Sequence, residues 1–366
     1  MIPKGCVEKC RGCKHREWSM AESLAQKENF LKVKLANWVD VLEQVRTVNS
    51  EKRWGYRSKT TLSTFFDGAG WQFGMWARNE LIPIPSCPVH TVTVNRTMDI
   101  IRANIPKSPA FPLAFIVLSG AQAVLVIKSK QMPSMGWLND FVKNQLTNIG
   151  IEGFWIHLNL SAGKRIFEKT GWHLIFGSAR STDYNGLLYG PAAFQQLIPE
   201  LYNQSLTEAK NFLNVNKTDA VIDLYCGTGN SMKQWTSAGA NVLGVELGGE
   251  AVECAKVNVP EATILRGACR QRVPQLKSWS VEQKFMNKRI LMYVNPPRTG
   301  LEAEVQDWIV NNGQPAKIAY LSCSPGTLSK NLEFLTRHKY RVKKIIPFDF
   351  FPQTVHVECL SLLEIE

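Results

Sequence analysis

No apolar run in this chain is both long and unbroken. The longest uncharged stretch, residues 108 to 127 (SPAFPLAFIVLSGAQAVLVI), is interrupted by Pro109, Pro112 and a central SGAQ. It reads as two strands around a turn, not as a membrane span. The beginning of the chain lacks an apolar segment with a small-residue cleavage site, and Lys4 and CRGCKHRE occupy that region instead, so we expect no secretory leader, no membrane and a cytoplasmic location. Internal repeats, sustained heptads and low-complexity tracts are also missing. Acidic side chains are scarce: 31 stand against 43 basic ones, for a net charge of +12. The deficit is uneven, with +9 over residues 1 to 200 and +3 over residues 201 to 366. That imbalance points to a polyanion such as nucleic acid, met by the N-terminal half.

What is present is globular. With 366 residues, 45% of them hydrophobic, the chain can build two or three cores, which excludes disordered and collagen-like classes. Residues 20 to 50 predict a helix. Residues 54 to 92 alternate in short runs between Gly-rich turns, as in a small antiparallel sheet. A helix near 94 to 105, strands at 113–118, 123–128 and 154–160, and a helix around 135 to 150 follow. Leu197 to Phe212 reads as a joining helix, and from Lys217 strands alternate with helices, the pattern of a parallel sheet with crossovers. We expect divisions at 1–95, 96–195 and 196–366.

Nine cysteines in a reducing compartment call for metal ligation, catalysis or burial, not disulfides. Cys6, Cys10 and Cys13 form C-x3-C-x2-C, and Cys87 recurs in IPIPSCPVH. Four thiolates from two loops can enclose a tetrahedral zinc or a cubane iron-sulfur cluster. His15 and His90 lie close by in sequence, but four sulfurs are the simpler ligand set.

Residues 219 to 229, DAVIDLYCGTG, give an apolar strand ending near Asp223, a turn at Gly227 and Gly229, and then a helix. Glycines there admit a ligand to the backbone. A second strand, NVLGVEL, ends with Glu246, where a carboxylate can take both hydroxyls of a ribose. The third glycine of a dinucleotide fingerprint is missing after Gly229, which favours an S-adenosylmethionine site. Three later segments, VNPPRTG, YLSCSPGTLSKNL and FDFFPQTVHVE, fall at strand ends. In them Asn295 and Arg298 aim into the crevice. Cys323 precedes a helix whose positive end can stabilise a thiolate, and His356 and Glu358 are expected on one face of a strand.

Taken together, DLYCGTG, NPPRTG, SCSPGTL and FPQTVHVE, with FQQLIP and GYRSK upstream, make the chain similar to the S-adenosylmethionine-dependent RNA uracil-C5 methyltransferases, which make 5-methyluridine. Within that family it most resembles the iron-sulfur 23S rRNA enzyme without a TRAM domain. The resemblance implies an α/β fold, with a Rossmann-like class I methyltransferase domain over 196–366 behind an N-terminal α+β half for RNA and cluster binding. It implies Cys323 as nucleophile toward uracil C6 and Glu358 as the base that removes the C5 proton. Asn295 would meet the uracil edge, and Gln196 would meet substrate and cofactor. Tyr225, Gly227 and Gly229 would border the methionine end of the cofactor, with Asp223 beside them, and Glu246 the ribose. Cys6, Cys10, Cys13 and Cys87 match the ligands of a [4Fe-4S] cluster, with zinc as the alternative. Arg57 and Lys59 of GYRSK, with Arg298, would contact RNA: a 23S rRNA hairpin first, transfer RNA second. No protein partner is required.

The chain departs from the family pattern in places. Ser324 follows the cysteine where asparagine is common. RGACRQR, with Cys269, replaces the segment that carries an adenine-contacting aspartate. Leu197 and Ile198 follow Gln196 in place of Q-x-N, and Asn295 replaces the more frequent aspartate. These departures raise a competing reading, an RNA-binding paralogue with weakened cofactor binding, which retention of Cys323 and Glu358 opposes.

Overall fold

The computed structural model describes residues 2–163 and 165–366. They divide into two compact units: residues 1–17 with 50–197, and residues 18–49 with 198–366. Helix α1 (Met20–Lys34) therefore belongs with the C-terminal residues, not with the N-terminal region where the sequence expectation put it. Its Leu31 and Leu35 are fully buried in the core of that unit, each worth roughly 1.5–3 kcal/mol. The helix expected over 20 to 50 stops at Lys34. A short 3-10 turn covers Ala36–Val41, and the chain then runs extended through Leu42 and Arg46.

In the first unit, strands β1 (Lys59–Phe66), β2 (Trp71–Ala77), β3 (Glu80–Pro83), β4 (Leu113–Ser119), β5 (Gln122–Ile127), β6 (Gly153–Leu158) and β7 (Trp172–Gly177) form one sheet in the order β3-β2-β1-β4-β5-β6-β7. Helices α2 (Val92–Asn104) and α3 (Asp140–Asn148) contribute Met98, Ile101, Val142 and Leu146 to its core. The pairing of β1 with β4 carries the sheet across the boundary expected at residue 95. The uncharged stretch of 108 to 127 forms the β4–β5 hairpin. Among the described residues no helix is long and apolar enough to cross a membrane. A minimal hairpin, β8 (Ser181–Thr182) with β9 (Leu188–Tyr189), follows.

The second unit opens its own sheet after α4 (Pro199–Leu213), whose first turn holds Pro199, a residue suited to a helix start. Strands β10 (Asp219–Leu224), β11 (Asn241–Glu246), β12 (Thr263–Arg266), β13 (Arg289–Val294) and β14 (Lys317–Ser322) run parallel. Helices α5 (Asn230–Thr236), α6 (Gly249–Asn258), α7 (Cys269–Phe285), α8 (Ala303–Trp308) and α9 (Pro325–Thr336) connect them in turn, α9 leading out of β14. Strand β15 (Tyr340–Phe348) and strand β16 (Glu358–Ile365) close the sheet in the order β12-β11-β10-β13-β14-β16-β15, with β16 antiparallel to β14 and to β15. The inner parallel strands β10, β13 and β14 are buried on both faces, and β10 (DAVIDL) is buried at every position, the pattern of a sheet covered by helices on both sides. Strand order reverses beside β10, so a crevice for ligands is expected at the carboxyl ends of β10, β11 and β13.

Candidate active site

The turn after β10 takes three left-handed residues: Tyr225 (φ +60°), Gly227 (φ +57°) and Gly229 (φ +93°). A Cβ on Gly229 would lie 3.0 Å from the Val259 side chain, while one on Gly227 would meet nothing within 4 Å. Glycine at 227 is thus required by the backbone angle and leaves its outer side open. The Glu246 carboxylate accepts from the Gly227 N–H (3.0 Å) and the Gly248 N–H (2.6 Å). Each oxygen keeps a lone pair for a further donor. This couples the ends of β10 and β11.

Asp223 does not border the crevice. It is fully buried, accepts from Trp235 Nε1 at 2.8 Å and is hydrogen-bonded by Ser231. Burial pushes its carboxyl up to about 7. It supports the turn from beneath, anchoring α5. Tyr225 also differs from expectation: its hydroxyl donates to Glu302, beside Cys269, and its ring packs on the core. Burial and the Glu302 charge push the Cys269 thiol up to about 12. The carboxylates near Cys269 are thus Glu302, a residue that motif reading passed over, and Glu246.

Cys323 follows β14 directly and is half-buried, two residues before Pro325 opens α9. Ser322 pairs with Cys359 in the antiparallel register of β14 and β16, so the next step along each strand sets Cys323 opposite Glu358. Burial raises the thiol, the Glu358 charge raises it further, and Arg298 lowers it. A thiol, a carboxylate and a guanidinium thus share one strand-end cluster. Glu358 is 3% exposed. His356 is exposed and lies before β16 begins, so the two do not share a strand face as expected. The turn ahead of them is irregular, with Gln353 left-handed (φ +67°).

The loop after β13 is tied to α9. Thr327 Oγ1 donates to the Arg298 carbonyl at 3.0 Å. Asn331 Oδ1, buried, accepts from the Leu301 N–H (3.1 Å) and the Tyr320 hydroxyl (2.7 Å). Gly300 (φ +77°) passes so near that a Cβ would lie 2.5 Å from that oxygen. Asn295, half-buried, opens the loop, and its N–H donates to the Leu224 carbonyl at 3.3 Å. Tyr320, Thr327 and Asn331 were not singled out from the sequence. The i, i+4 spacing of Thr327 and Asn331 within SPGTLSKNL, which sets both on one helix face, was the available signal.

The remaining candidates lie in the first unit. Lys59 Nζ donates to the Ala193 carbonyl at 2.6 Å and sits 6.0 Å from the Phe194 ring centroid, and burial lowers it to about 8. Arg57 pairs through its backbone with the segment around His90, and its charge lowers the Cys13 thiol. Gln196 Oε1 is buried without a hydrogen-bond partner among the described residues. Cys6, Cys10, Cys13 and Cys87 line one cavity with Arg16 and Trp54. Arg16 fastens the loop by donating to the carbonyls of Cys10 (2.6 Å), Glu8 (2.8 Å) and Val7 (3.3 Å). Burial and the neighbouring thiols push Cys13 up to about 12. Among the described residues, no three His, Cys, Asp or Glu side chains are grouped so as to hold a metal ion.

A parallel sheet with this strand order, a glycine turn at its switch point and a carboxylate ending the next strand make up the Rossmann-like fold of S-adenosylmethionine-dependent methyltransferases. Residues 270–366 match the family model described as tRNA (uracil-5-)-methyltransferase. An RNA methyltransferase of uncharacterized specificity from Halalkalibacterium halodurans is 26% identical, covering 100% of this chain and 83% of that protein. The 23S rRNA (uracil(1939)-C(5))-methyltransferase RlmD of Shewanella woodyi is 25% identical, covering 97% and 80%. In fold, the chain is similar to the tRNA (uracil-54, C5)-methyltransferase of Pyrococcus abyssi, solved with S-adenosyl-L-homocysteine: TM-score 0.74, 22% identity, 99% of this chain and 86% of that one. Over residues 270–366 the chain thus matches the tRNA (uracil-5-)-methyltransferase model, and along nearly its whole length it is similar to RNA methyltransferases that include 23S rRNA uracil-C5 enzymes.

Proposed function

We propose that the chain methylates C5 of a uridine in RNA, with Cys323 as nucleophile and Glu358 as base. The observation that carries this reading is the strand register that sets Cys323 opposite Glu358, with Arg298 acting on the same thiol. The Cys323 thiolate adds to uracil C6, which makes C5 nucleophilic. S-adenosylmethionine, when bound, supplies the electrophilic methyl group. Gly227 and Gly229 admit it to the backbone and Glu246 takes its ribose. Glu358 then removes the C5 proton, the electron pair restores the ring double bond, and the C6–S bond breaks to return the thiolate. Asn295 and Gln196 are assigned to the uracil edge and its surroundings, and Arg57, Lys59 and Arg298 to the RNA. Cys323→Ala abolishes transfer on this account, and Glu358→Gln leaves a covalent methylated RNA adduct on denaturing gels. A Glu358→Gln enzyme that turns over normally would refute the assignment of the base.

The 23S rRNA relatives support ribosomal RNA as the first substrate, and the transfer RNA family model supports transfer RNA as the second. Mass-spectrometric mapping of 5-methyluridine in both RNA classes from a deletion strain decides between them. For Cys6, Cys10, Cys13 and Cys87 the reading is a [4Fe-4S] cluster. Four sulfurs around one cavity, held by Arg16 and charge-compensated by Arg57, support it. Anaerobically purified protein should be brown and contain iron and sulfide. A colourless preparation with stoichiometric zinc would reject the cluster.

A further inference from the structure

Helix α1 buries Ser23, Lys27 and Leu31 along one face, so a lysine stands in the middle of the stripe that should be apolar. Lys27 and Asp349 form an ion pair in which both side chains are 0% exposed. The ammonium donates to the Asp349 carboxylate and, at 3.2 Å, to the Phe351 carbonyl. Thr47 Oγ1 donates to the other carboxylate oxygen at 3.0 Å, and the Asp349 N–H donates to the Arg46 carbonyl at 2.8 Å. A buried ion pair is a poor source of stability, because desolvation offsets the attraction and apolar residues of similar volume often serve as well or better. What it supplies is direction, since both charges must find their partners in one geometry.

That geometry is imposed on residues 349 to 357, the connection from β15 to β16, and the residue that follows is Glu358. The hydrogen bonds run on from the contact with Lys27. The Phe351 carbonyl also accepts from the Thr354 N–H (3.2 Å) and the Thr354 hydroxyl (2.8 Å), and that hydroxyl accepts from the His356 N–H (3.1 Å). Two residues later the chain enters β16 opposite Phe348, with Glu358 as the first strand residue. We propose that Lys27 is a positioning residue for Glu358: through Asp349 and the Phe351 carbonyl it sets the turn so that the carboxylate meets Cys323. The proposal rests on the reading of Glu358 as the base.

The test follows proton abstraction by itself, using 23S rRNA and transfer RNA transcripts that carry tritium at uridine C5. Transcripts with 5-fluorouridine, which has no C5 proton to lose, report adduct formation and methyl transfer alone. The full-length variants are Lys27→Met, Lys27→Met/Asp349→Leu and Lys27→Arg. The double variant removes both charges and keeps the fold testable if the single one leaves a destabilising unpaired carboxylate. We expect the folded double variant to trap 5-fluorouridine RNA at the wild-type rate. It should release tritium roughly tenfold more slowly, part of the roughly 10²- to 10⁴-fold that a placed base contributes, while methylated adduct accumulates on natural RNA. Lys27→Arg, which keeps the charge and donors, should recover most of the release rate. A folded double variant that releases tritium as the wild type does overturns the proposal. So does one that loses trapping and release in equal proportion, which is the mark of a purely structural role. A wild-type enzyme that methylates neither transcript would overturn the methyltransferase reading itself.

Discussion

Asp223 shows how far a motif residue can stand from the role its position suggests. Its carboxyl titrates near 7 because it is buried, so between about pH 4 and 7 the native state keeps a proton that the unfolded chain has released. Stability from this group is present at low pH and is lost as pH rises through that window. Asp223→Asn cannot ionise and still accepts from Trp235. The melting temperature of the variant should gain on the wild type as pH goes from 5 to 8, and parallel curves would disprove it. Cys323 carries the opposite practical consequence. Its thiol is raised by burial and by Glu358, so kcat/KM should climb with pH as the thiolate forms. Arg298 pulls the thiol down, and Arg298→Ala should therefore move that rise to higher pH. A pH-rate profile on one RNA transcript measures the displacement; an unmoved profile would detach Arg298 from the nucleophile.

At the scale of elements, the loop after β13 depends on one side chain of α9. Asn331 accepts from the Leu301 N–H and the Tyr320 hydroxyl in a buried setting. Asn331→Leu leaves two donors unsatisfied, at about 1–3 kcal/mol each, and should lower both the melting temperature and the rate of transfer. Thermal denaturation beside a single-turnover assay checks this, and full stability would show that water replaces the amide. The elements themselves were largely legible. The alternation of strands and helices after Lys217 gave the parallel sheet, and DLYCGTG gave the turn with its left-handed glycines. The contacts between elements were not legible. A lysine at position 27 carries no mark that it is buried, since its partner lies 322 positions away. Period-two reasoning placed His356 and Glu358 on one face, but the chain is still in an irregular turn at 356 and alternation applies only inside a strand.

For the whole molecule, the division into units sharpens an argument that composition only began. The expected boundaries cut the chain in sequence order, whereas apolar burial assigns residues 18–49 to the C-terminal unit and joins the strands on both sides of residue 95. Counted by unit, residues 1–17 and 50–197 hold 20 basic and 10 acidic side chains, a net +10, and the rest hold 23 and 21, a net +2. The basic excess thus belongs almost wholly to the unit that lacks Cys323. Affinity for RNA should therefore depend on salt through that unit, because each neutralised phosphate releases counterions. Lys128 and Lys130 are exposed at the end of β5, and Lys128 borders a shallow cavity with Trp76 and Phe111. If both meet phosphates of single-stranded RNA, Lys128→Ala/Lys130→Ala reduces the slope of log K against log salt by about 1.4, at ~0.7 per contact. The same pair of changes should leave the melting temperature and the 5-fluorouridine trapping rate at saturating RNA unchanged. Binding titrations at several salt concentrations measure the slope. A slope unaltered there, but reduced by neutralising two exposed lysines of the C-terminal unit, would place the RNA on the other surface and remove the functional meaning of the charge asymmetry.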